Sequence, residues 1–233
     1  MNMKPFFCYY GGKWRGAKHY PSPKYSTIIE PFAGGAGYAT WHNASRVKLY
    51  EVDERIYGIW KFLIGSSPED IYNLPTVITN VDDYKICQEA KWLIGFWCNK
   101  GCAHPMKQPS TWMKEYNCPN SWWGESIKHR IASQLSQIKH WQIYNTSYVD
   151  IDNIKASWYI DPPYQNKCGR IYKYNQIDFE SLGNWCRGRL GEVMVCEQAG
   201  ATWLPFKEFK DLKSGNRTLE GTLKSKEVLY YQH

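Results

Sequence analysis

Short apolar runs with strand character alternate with helical segments at both ends of this chain of 233 residues. Near the start, runs at 25–32 and 47–50 are each followed by a segment with helical spacing, at 38–44 and 55–64. The same pattern returns near the end, with strand-like runs at 158–160, 192–197 and 227–231 and a helical segment at 179–190. This alternation predicts an α/β fold with a mostly parallel, doubly wound sheet and helices on both faces.

The middle of the chain does not follow this pattern. Residues 95–124 are irregular and rich in Trp, Cys, Asn, Pro and Lys, between helix-like pieces at 84–96 and 126–139. So long an irregular stretch is more typical of an inserted recognition unit than of a loop. We therefore predict a catalytic domain formed by 1–67 and 145–233, and a small inserted target-recognition region at 68–144.

The composition favours an intracellular enzyme with a polyanionic partner. The hydrophobic fraction of 43% can fill a core, and no apolar stretch reaches the roughly 18 residues of a membrane span. Eight scattered cysteines indicate reduced thiols, and the start of the chain does not read as a secretory signal, so we predict a cytoplasmic location. The net charge of +7, with 12 Trp and 18 Tyr, fits a nucleic-acid enzyme, because aromatic rings stack on bases.

Asp161-Pro162-Pro163-Tyr164 directly follows the apolar run 158–160. The prolines cannot continue a strand ladder, so they form a rigid corner at the carboxyl end of a buried strand. Open α/β sheets bind their ligands at this edge. A carboxylate, the Pro162 carbonyl and the Tyr164 ring could converge there on a planar group that bears an amine. This combination suits chemistry on the exocyclic amine of a nucleobase.

A glycine-rich turn and a carboxylate indicate a nucleoside cofactor. Glycines let the backbone approach a ligand closely, and the helix that follows the turn supplies free N–H groups. Glu51 ends the next strand, where an acid can accept hydrogen bonds from both ribose hydroxyls. A turn of this kind is by itself weak evidence, and the strand-end acid strengthens it. The expected cofactor contacts here are Pro31, Phe32, Ala33, Gly34, Gly35, Gly37, Glu51 and Val52.

A third motif, Tyr9-Tyr10-Gly11-Gly12-Lys13, lies near the start. Lys13 could meet a carboxylate of the cofactor, with Tyr9, Gly11 and Gly12 beside it. Taken alone, the motif is better explained as a surface turn with a solvated lysine.

Together these motifs resemble those of the Dam-like DNA adenine methylases, which transfer a methyl group from S-adenosylmethionine to adenine N6. The order is the same: the GGK segment, the turn at 30–37, the acid Glu51, an inserted recognition region, and DPPY last. The resemblance implies a Rossmann-like methyltransferase sheet, S-adenosylmethionine as cofactor, and double-stranded DNA as partner. The small size of the chain and its compressed insert favour a phage or mobile-element origin, and an accompanying restriction endonuclease stays an open question.

The resemblance also implies residue roles. Tyr9 stands where the family has a cofactor-contacting Trp, and Lys13 matches the motif lysine. Asp161, Pro162, Pro163 and Tyr164 would form the catalytic pocket: Tyr164 stacks on a flipped adenine, while Asp161 and the Pro162 carbonyl accept hydrogen bonds from its N6 amine. This chemistry requires no metal.

The chain departs from the family pattern at Ser147 and Tyr148, which lie where many relatives carry an acidic residue followed by an aromatic one. We expect the pair to contact the cofactor, with Ser147 in place of the acid.

Basic residues lie among the aromatic residues of the inserted region. Lys100, Lys107, Lys114, Lys128 and Arg130 are candidates for DNA phosphate contacts, and a solvated surface would explain them equally well.

Cys98, Cys102, His104 and Cys118 could hold zinc, but their spacing is irregular, and buried thiols are the favoured interpretation.

Other functions remain open from the sequence. They are methylation of cytosine N4, of an RNA base or of a protein amide, and binding of DNA or a nucleoside without catalysis. The chain shows neither a coiled coil nor a symmetric patch, so a monomer is slightly favoured.

Overall fold

The computed structural model describes residues 3–115, 121–218 and 221–233, and between 210 and 225 it describes the backbone alone. Its centre is one sheet of seven strands in the order β3-β2-β1-β4-β5-β7-β6. The strands are β1 (Thr27–Glu30), β2 (Arg46–Tyr50), β3 (Gln142–Tyr144), β4 (Ala156–Ile160), β5 (Gly191–Gln198), β6 (Lys207–Thr218) and β7 (Gly221–Gln232). The first five are parallel, and β7 runs antiparallel between β5 and β6. The predicted Rossmann-like α/β class is confirmed.

Helices cover both faces of the sheet. Neighbouring residues of a strand point to opposite faces, and Ile28 belongs to one buried apolar cluster while Ile29 belongs to the other. The helices are α1 (Gly37–His42), α2 (Glu54–Gly65), α3 (Pro68–Tyr72), α4 (Gln88–Cys98), α5 (Thr111–Glu115), α6 (Glu125–Gln134) and α7 (Phe179–Arg187). The first cluster holds buried residues of α1–α4 and α6, and the second holds those of α7. The chain therefore winds to both sides, as the sequence pattern predicts.

The inserted region packs onto the sheet domain. Its helices α4 and α6 share the larger apolar cluster with Phe6 and Trp60, and the Trp97 indole donates a hydrogen bond to the Phe6 carbonyl at 3.0 Å. Strand β3 lies inside the predicted 68–144 range, yet it pairs with β2 along the edge of the sheet. The chain therefore rejoins the sheet at Gln142, within the range predicted for the inserted region.

The sheet ends in a long antiparallel pair. The run predicted at 227–231 is part of β7, while β6 was not expected, because its sequence is polar and lacks an apolar run. A strand at the edge of a sheet is buried on fewer sides and needs less apolar character.

Among the residues described, we found no helix with the length and apolar character that a membrane span needs.

Candidate cofactor and catalytic site

A cavity of about 360 Å³ lies at the carboxyl ends of β1, β2 and β4. The glycine turn after β1, Glu51 after β2 and Asp161 after β4 all line it. The loop at 161 and the turn at 31–37 therefore open onto one shared cavity. Its volume is within the range of small-ligand sites.

The glycine turn has the backbone that its sequence suggests. Gly34 has a φ of +43°, and Ala36 has the same left-handed φ of 43°, which is uncommon for a residue with a side chain. A Cβ on Gly34 would lie 3.0 Å from the Tyr9 ring, and one on Gly37 would lie 2.5 Å from the Trp14 nitrogen. These glycines therefore let the N-terminal loop pack directly against the turn.

Backbone hydrogen bonds hold the Glu51 carboxylate against the glycine turn. One carboxylate oxygen accepts a hydrogen bond from the Gly34 N–H at 3.0 Å, and the other accepts from the N–H groups of Val52 and Asp53 at 3.0 and 3.1 Å. Burial raises the pKa of Glu51 to about 7, although these hydrogen bonds act in the opposite direction. Glu51 thus lines the cavity as a carboxyl group that titrates near neutrality.

Glu30, the last residue of β1, is a second buried carboxyl group at the cavity. It accepts a hydrogen bond from the Ala39 N–H at 2.7 Å, so it joins the end of the strand to the first turn of α1. Burial raises its pKa to about 8. Glu30 is not among the residues predicted for the site from the sequence.

Aromatic rings form much of the wall. The Tyr9 ring lies against Phe96 and Tyr172, with ring centroids 5.6 and 5.8 Å apart. On the other side, the rings of Phe32 and Tyr148 lie 5.5 Å apart. The cavity therefore offers flat apolar surfaces on two sides. The remaining predicted cofactor contacts, including Gly11, Gly12, Pro31, Ala33, Gly35, Val52 and Ser147, also line it.

Lys13 pairs with the catalytic candidate Asp161. Its Nζ lies 2.8 Å from both Asp161 carboxylate oxygens and 3.1 Å from the Gly11 carbonyl oxygen. Burial alone would lower the pKa of Lys13, but Asp161 and Glu227 outweigh it, so the pKa is raised and the side chain is an ammonium. Burial also raises the pKa of Asp161 to about 6, against the opposing effect of Lys13.

Tyr164 and Pro162 lie behind the cavity wall. Asp161 and Pro163 line the cavity, whereas these two residues do not. The Tyr164 hydroxyl donates a hydrogen bond to Glu227 at 2.7 Å, and the Lys13 ammonium lies 4.9 Å from the centre of its ring. In this structure Lys13 thus lies over one face of the half-buried Tyr164 ring.

Several residues of the site were missed. Glu227 reaches it from β7, and Tyr172, Lys173, Tyr174, Gln176 and Ile177 line the cavity from the segment before α7. Glu227 carried a signal, because a carboxylate beside the apolar run 228–231 must find a partner when it is buried. The segment at 172–177 carried none, since its sequence reads as an ordinary loop.

The structure corrects two of the predicted DNA contacts. Lys128 is only 3% exposed, and its Nζ bonds to Thr76 and Glu125. The guanidinium of Arg130 packs 4.8 Å from the Trp97 ring, with Nε and Nη2 buried. Neither group faces outward toward a phosphate, because each helps to pack α6 onto the domain. Lys107 is 74% exposed and pairs with Asp82 at 2.7 Å.

Lys100 lies over a ring of the inserted region, with its Nζ 4.9 Å from the centre of the Trp122 ring. Lys100 and Trp122 line a second cavity of about 350 Å³ beside Trp112, which is exposed.

Cys98 and Cys102, the described cysteines of the possible zinc site, are free thiols. Cys98 is buried, and Cys102 accepts a hydrogen bond from the Asn99 amide at 3.0 Å, while Cys118 lies outside the described residues. Within the described residues, one group has metal-ligand spacing, formed by Asp161, Cys196 and Glu227. The Lys13 ammonium already lies against its two carboxylates.

Comparisons with known proteins give only remote likeness. No protein-family model matches the chain, and no curated protein matches it. A methylase candidate of Haemophilus influenzae aligns with 11% identity and a TM-score of 0.35, over 88% of this chain and 78% of that one. A conserved hypothetical protein of Streptococcus pyogenes aligns with 12% identity and a TM-score of 0.39, over 93% and 89%. Likeness at this level assigns no activity to the chain.

Proposed function

We propose that this protein is a DNA adenine-N6 methyltransferase that uses S-adenosylmethionine. The observation that carries the proposal is the convergence of three strand ends: Asp161, the glycine turn and Glu51 line one cavity. The reaction is inferred from the motif order, which resembles that of the Dam-like family, and Lys13, Asp161, Glu51 and the glycine turn lie around the same cavity.

The residues present fit the cofactor. A nucleoside would fit between the flat aromatic walls and against the turn, where Gly34 has no room for a side chain. The Glu51 carboxylate would accept hydrogen bonds from the ribose hydroxyls. The rings of Phe32 and Tyr148 would hold the adenine portion. A carboxylate on the amino-acid portion would bind Lys13, whose ammonium also contacts Asp161 and Glu227.

When bound, S-adenosylmethionine supplies a methyl group on a positively charged sulfur. Asp161 accepts a hydrogen bond from the target amine, orients its lone pair and stabilises the positive charge that grows on nitrogen. The resemblance implies the Pro162 carbonyl as a second acceptor, although Pro162 does not line the cavity in this structure. The N–CH3 bond forms as the S–CH3 bond breaks, and the extra proton on nitrogen passes to Asp161 or to solvent. Alignment by the site supplies much of the remaining acceleration.

Adenine in duplex DNA is the proposed substrate, because DPPY with a leading Asp resembles the adenine-specific members of the family. Cytosine N4 is the runner-up, since it presents a similar exocyclic amine. The basic, aromatic-rich inserted region suits a nucleic acid, and the target sequence is left to measurement.

The test is mass spectrometry of nucleosides from DNA incubated with the purified chain and isotopically labelled S-adenosylmethionine. We expect labelled N6-methyladenine, and Asp161→Asn should lower its formation by about 100-fold or more. Asp152→Asn is the matched control, because Asp152 is an exposed acid before the same strand, and it should leave the rate unchanged. Circular dichroism confirms folding of each variant. Labelled N4-methylcytosine would move the substrate to cytosine, and an unlabelled product pool would refute the proposal.

A further inference from the structure

Glu227 forms a hydrogen-bond network behind the proposed catalytic residues. It is 4% exposed, and its two carboxylate oxygens accept hydrogen bonds from the hydroxyls of Tyr164 and Tyr20, each at 2.7 Å. One of these oxygens also lies 3.7 Å from the Lys13 Nζ. A strand at the far end of the chain thus contributes a buried anion to the site.

Lys13 occupies the environment that a substrate amine would need. Its nitrogen contacts both Asp161 oxygens and lies over the Tyr164 ring, and these are the two groups assigned to the target base. Each Asp161 oxygen can accept a second hydrogen bond, but the Lys13 nitrogen fills the position between Asp161 and the Tyr164 ring that the substrate amine would take. The ammonium must therefore move, and a buried ammonium that loses its only anion would be costly.

The site holds a second anion for that moment. Lys13 carries one positive charge against the two carboxylates of Asp161 and Glu227. A displacement of about 1 Å toward Glu227 would bring the 3.7 Å contact to ordinary hydrogen-bond length, so Lys13 could leave Asp161 without losing charge compensation.

We propose that Glu227 is a positioning residue of the methyl-transfer site, which retains Lys13 and fixes the Tyr164 ring while Asp161 turns to the substrate amine. The inference rests on the proposed function. Glu227 touches neither the cavity nor the reacting atoms, and it acts through Lys13 and Tyr164.

A purely structural role is the competing explanation, and the chain contains a matched example. Glu192 on β5 is equally buried, and it accepts hydrogen bonds from the hydroxyls of Ser157 and Tyr231 at 2.6 Å and from the Lys24 N–H at 3.0 Å. Within the described residues Glu192 takes part in no ion pair. Glu192→Gln therefore controls for the loss of a buried, tyrosine-bound carboxylate.

The first measurement compares methyl transfer by Glu227→Gln and Glu192→Gln over a range of pH. Glutamine keeps a carbonyl acceptor for one tyrosine and can donate to the other, but it removes the charge beside Lys13. We expect kcat to fall about tenfold or more for Glu227→Gln, because Lys13 stays on Asp161, and to change less than about twofold for Glu192→Gln.

The pH profile separates positioning from structural damage. The titratable groups facing Asp161 are Lys13, Glu30, Cys196, Glu197, Glu227 and several tyrosine phenols that stay neutral. Because the Glu227 charge raises the pKa of Asp161, its removal should move the acid limb of kcat to lower pH. A lower kcat with an unmoved limb would mean a structural role and would overturn the inference.

The second measurement needs no activity. Thermal midpoints are compared for Lys13→Met, Glu227→Gln and the double variant, and again with Glu192→Gln in place of Glu227→Gln. We expect non-additive midpoint shifts for the Glu227 pair and additive shifts for the Glu192 pair. Additive shifts in both would overturn the inference alone. Absence of methyl transfer by the wild-type chain would instead refute the proposed function, and the positioning role with it.

Discussion

Two carboxyl groups at the cavity, those of Glu30 and Glu51, have raised pKa values. Burial raises the pKa of Glu30 from 4.5 to about 8 and that of Glu51 from 4.5 to about 7. In both cases the folded-state pKa lies above the unfolded one, so the folded protein binds more protons between these values. Their contribution to stability is therefore present below about pH 4.5 and is lost as the pH rises toward 8.

Glu30→Gln tests this linkage. Glutamine can still accept the hydrogen bond from Ala39, but it never ionises. We expect the variant to gain unfolding free energy relative to wild type as the pH rises from 5 to 9, by an amount on the order of 4 kcal/mol at most. Urea unfolding across this range measures it. A constant difference between variant and wild type at every pH would contradict the assignment.

For single residues, the sequence predicted which ones lie at the cavity better than it predicted which side chains they contact. Asp161, Glu51 and Lys13 all lie at the cavity, because each stands at the end of a strand or beside the turn. The pairing of Lys13 with Asp161 joins residues 148 positions apart, and sequence patterns carry no signal for such contacts. Glu227 stood beside an apolar run, which is a signal for a buried carboxylate, but nothing in the sequence named its partners Tyr20 and Tyr164.

Among the elements, the glycine turn and the N-terminal loop depend on each other. The loop passes so close to Gly37 that a Cβ there would lie 2.5 Å from the Trp14 nitrogen and 3.0 Å from the Lys13 backbone. The first turn of α1 and the position of Lys13 are therefore fixed by one close backbone contact.

Gly37→Ala should disturb both. We expect the unfolding free energy to fall by about 1–3 kcal/mol, because backbone atoms must shift to admit the methyl group. Gly65→Ala at the end of α2 is the control: nothing lies within 4 Å of the added Cβ there, so stability should stay constant or rise. Chemical denaturation compares the two variants, and equal stability would show that the loop and the turn are not in such close contact.

Elements with an apolar signature were predictable, and the others were not. Strands β1, β2, β4 and β5 carry buried runs that the sequence shows plainly. Strand β6 is polar and β3 has only three residues, so neither carries a strand pattern of its own. They are strands because each pairs with a neighbour already in the sheet: β3 pairs with β2 over all three residues, and β6 pairs with β7 over a ladder with two register shifts.

For the whole molecule, the question is which surface would meet DNA. Lys128 and Arg130 stabilise the packing of α6, which leaves Lys100, Lys107 and Lys114 as the exposed ones among the five basic candidates of the inserted region. The pair between Lys107 and Asp82 is largely exposed and is therefore weak.

Substitution of Lys100 and Lys107 by alanine should weaken duplex DNA binding and make the affinity less dependent on salt concentration. Each phosphate contact contributes a slope of about −0.9 in a plot of log affinity against log salt, so the slope should become smaller by about one to two. Lys155→Ala is the control. Lys155 is exposed and lies at the amino end of β4, whereas the cavity lies at the carboxyl end of that strand. Fluorescence anisotropy measures both, and an unchanged slope would exclude this surface.

The most direct test of the account is calorimetric titration of S-adenosylmethionine into the purified chain at pH 6 and pH 8. We predict saturable binding at one site per chain, tighter at pH 8, because the Glu51 carboxyl group is ionised above its pKa of about 7. Glu51→Gln should bind more weakly and lose this pH dependence. Absence of binding, or binding that Glu51→Gln leaves unchanged, would contradict the central claim that this cavity holds the cofactor.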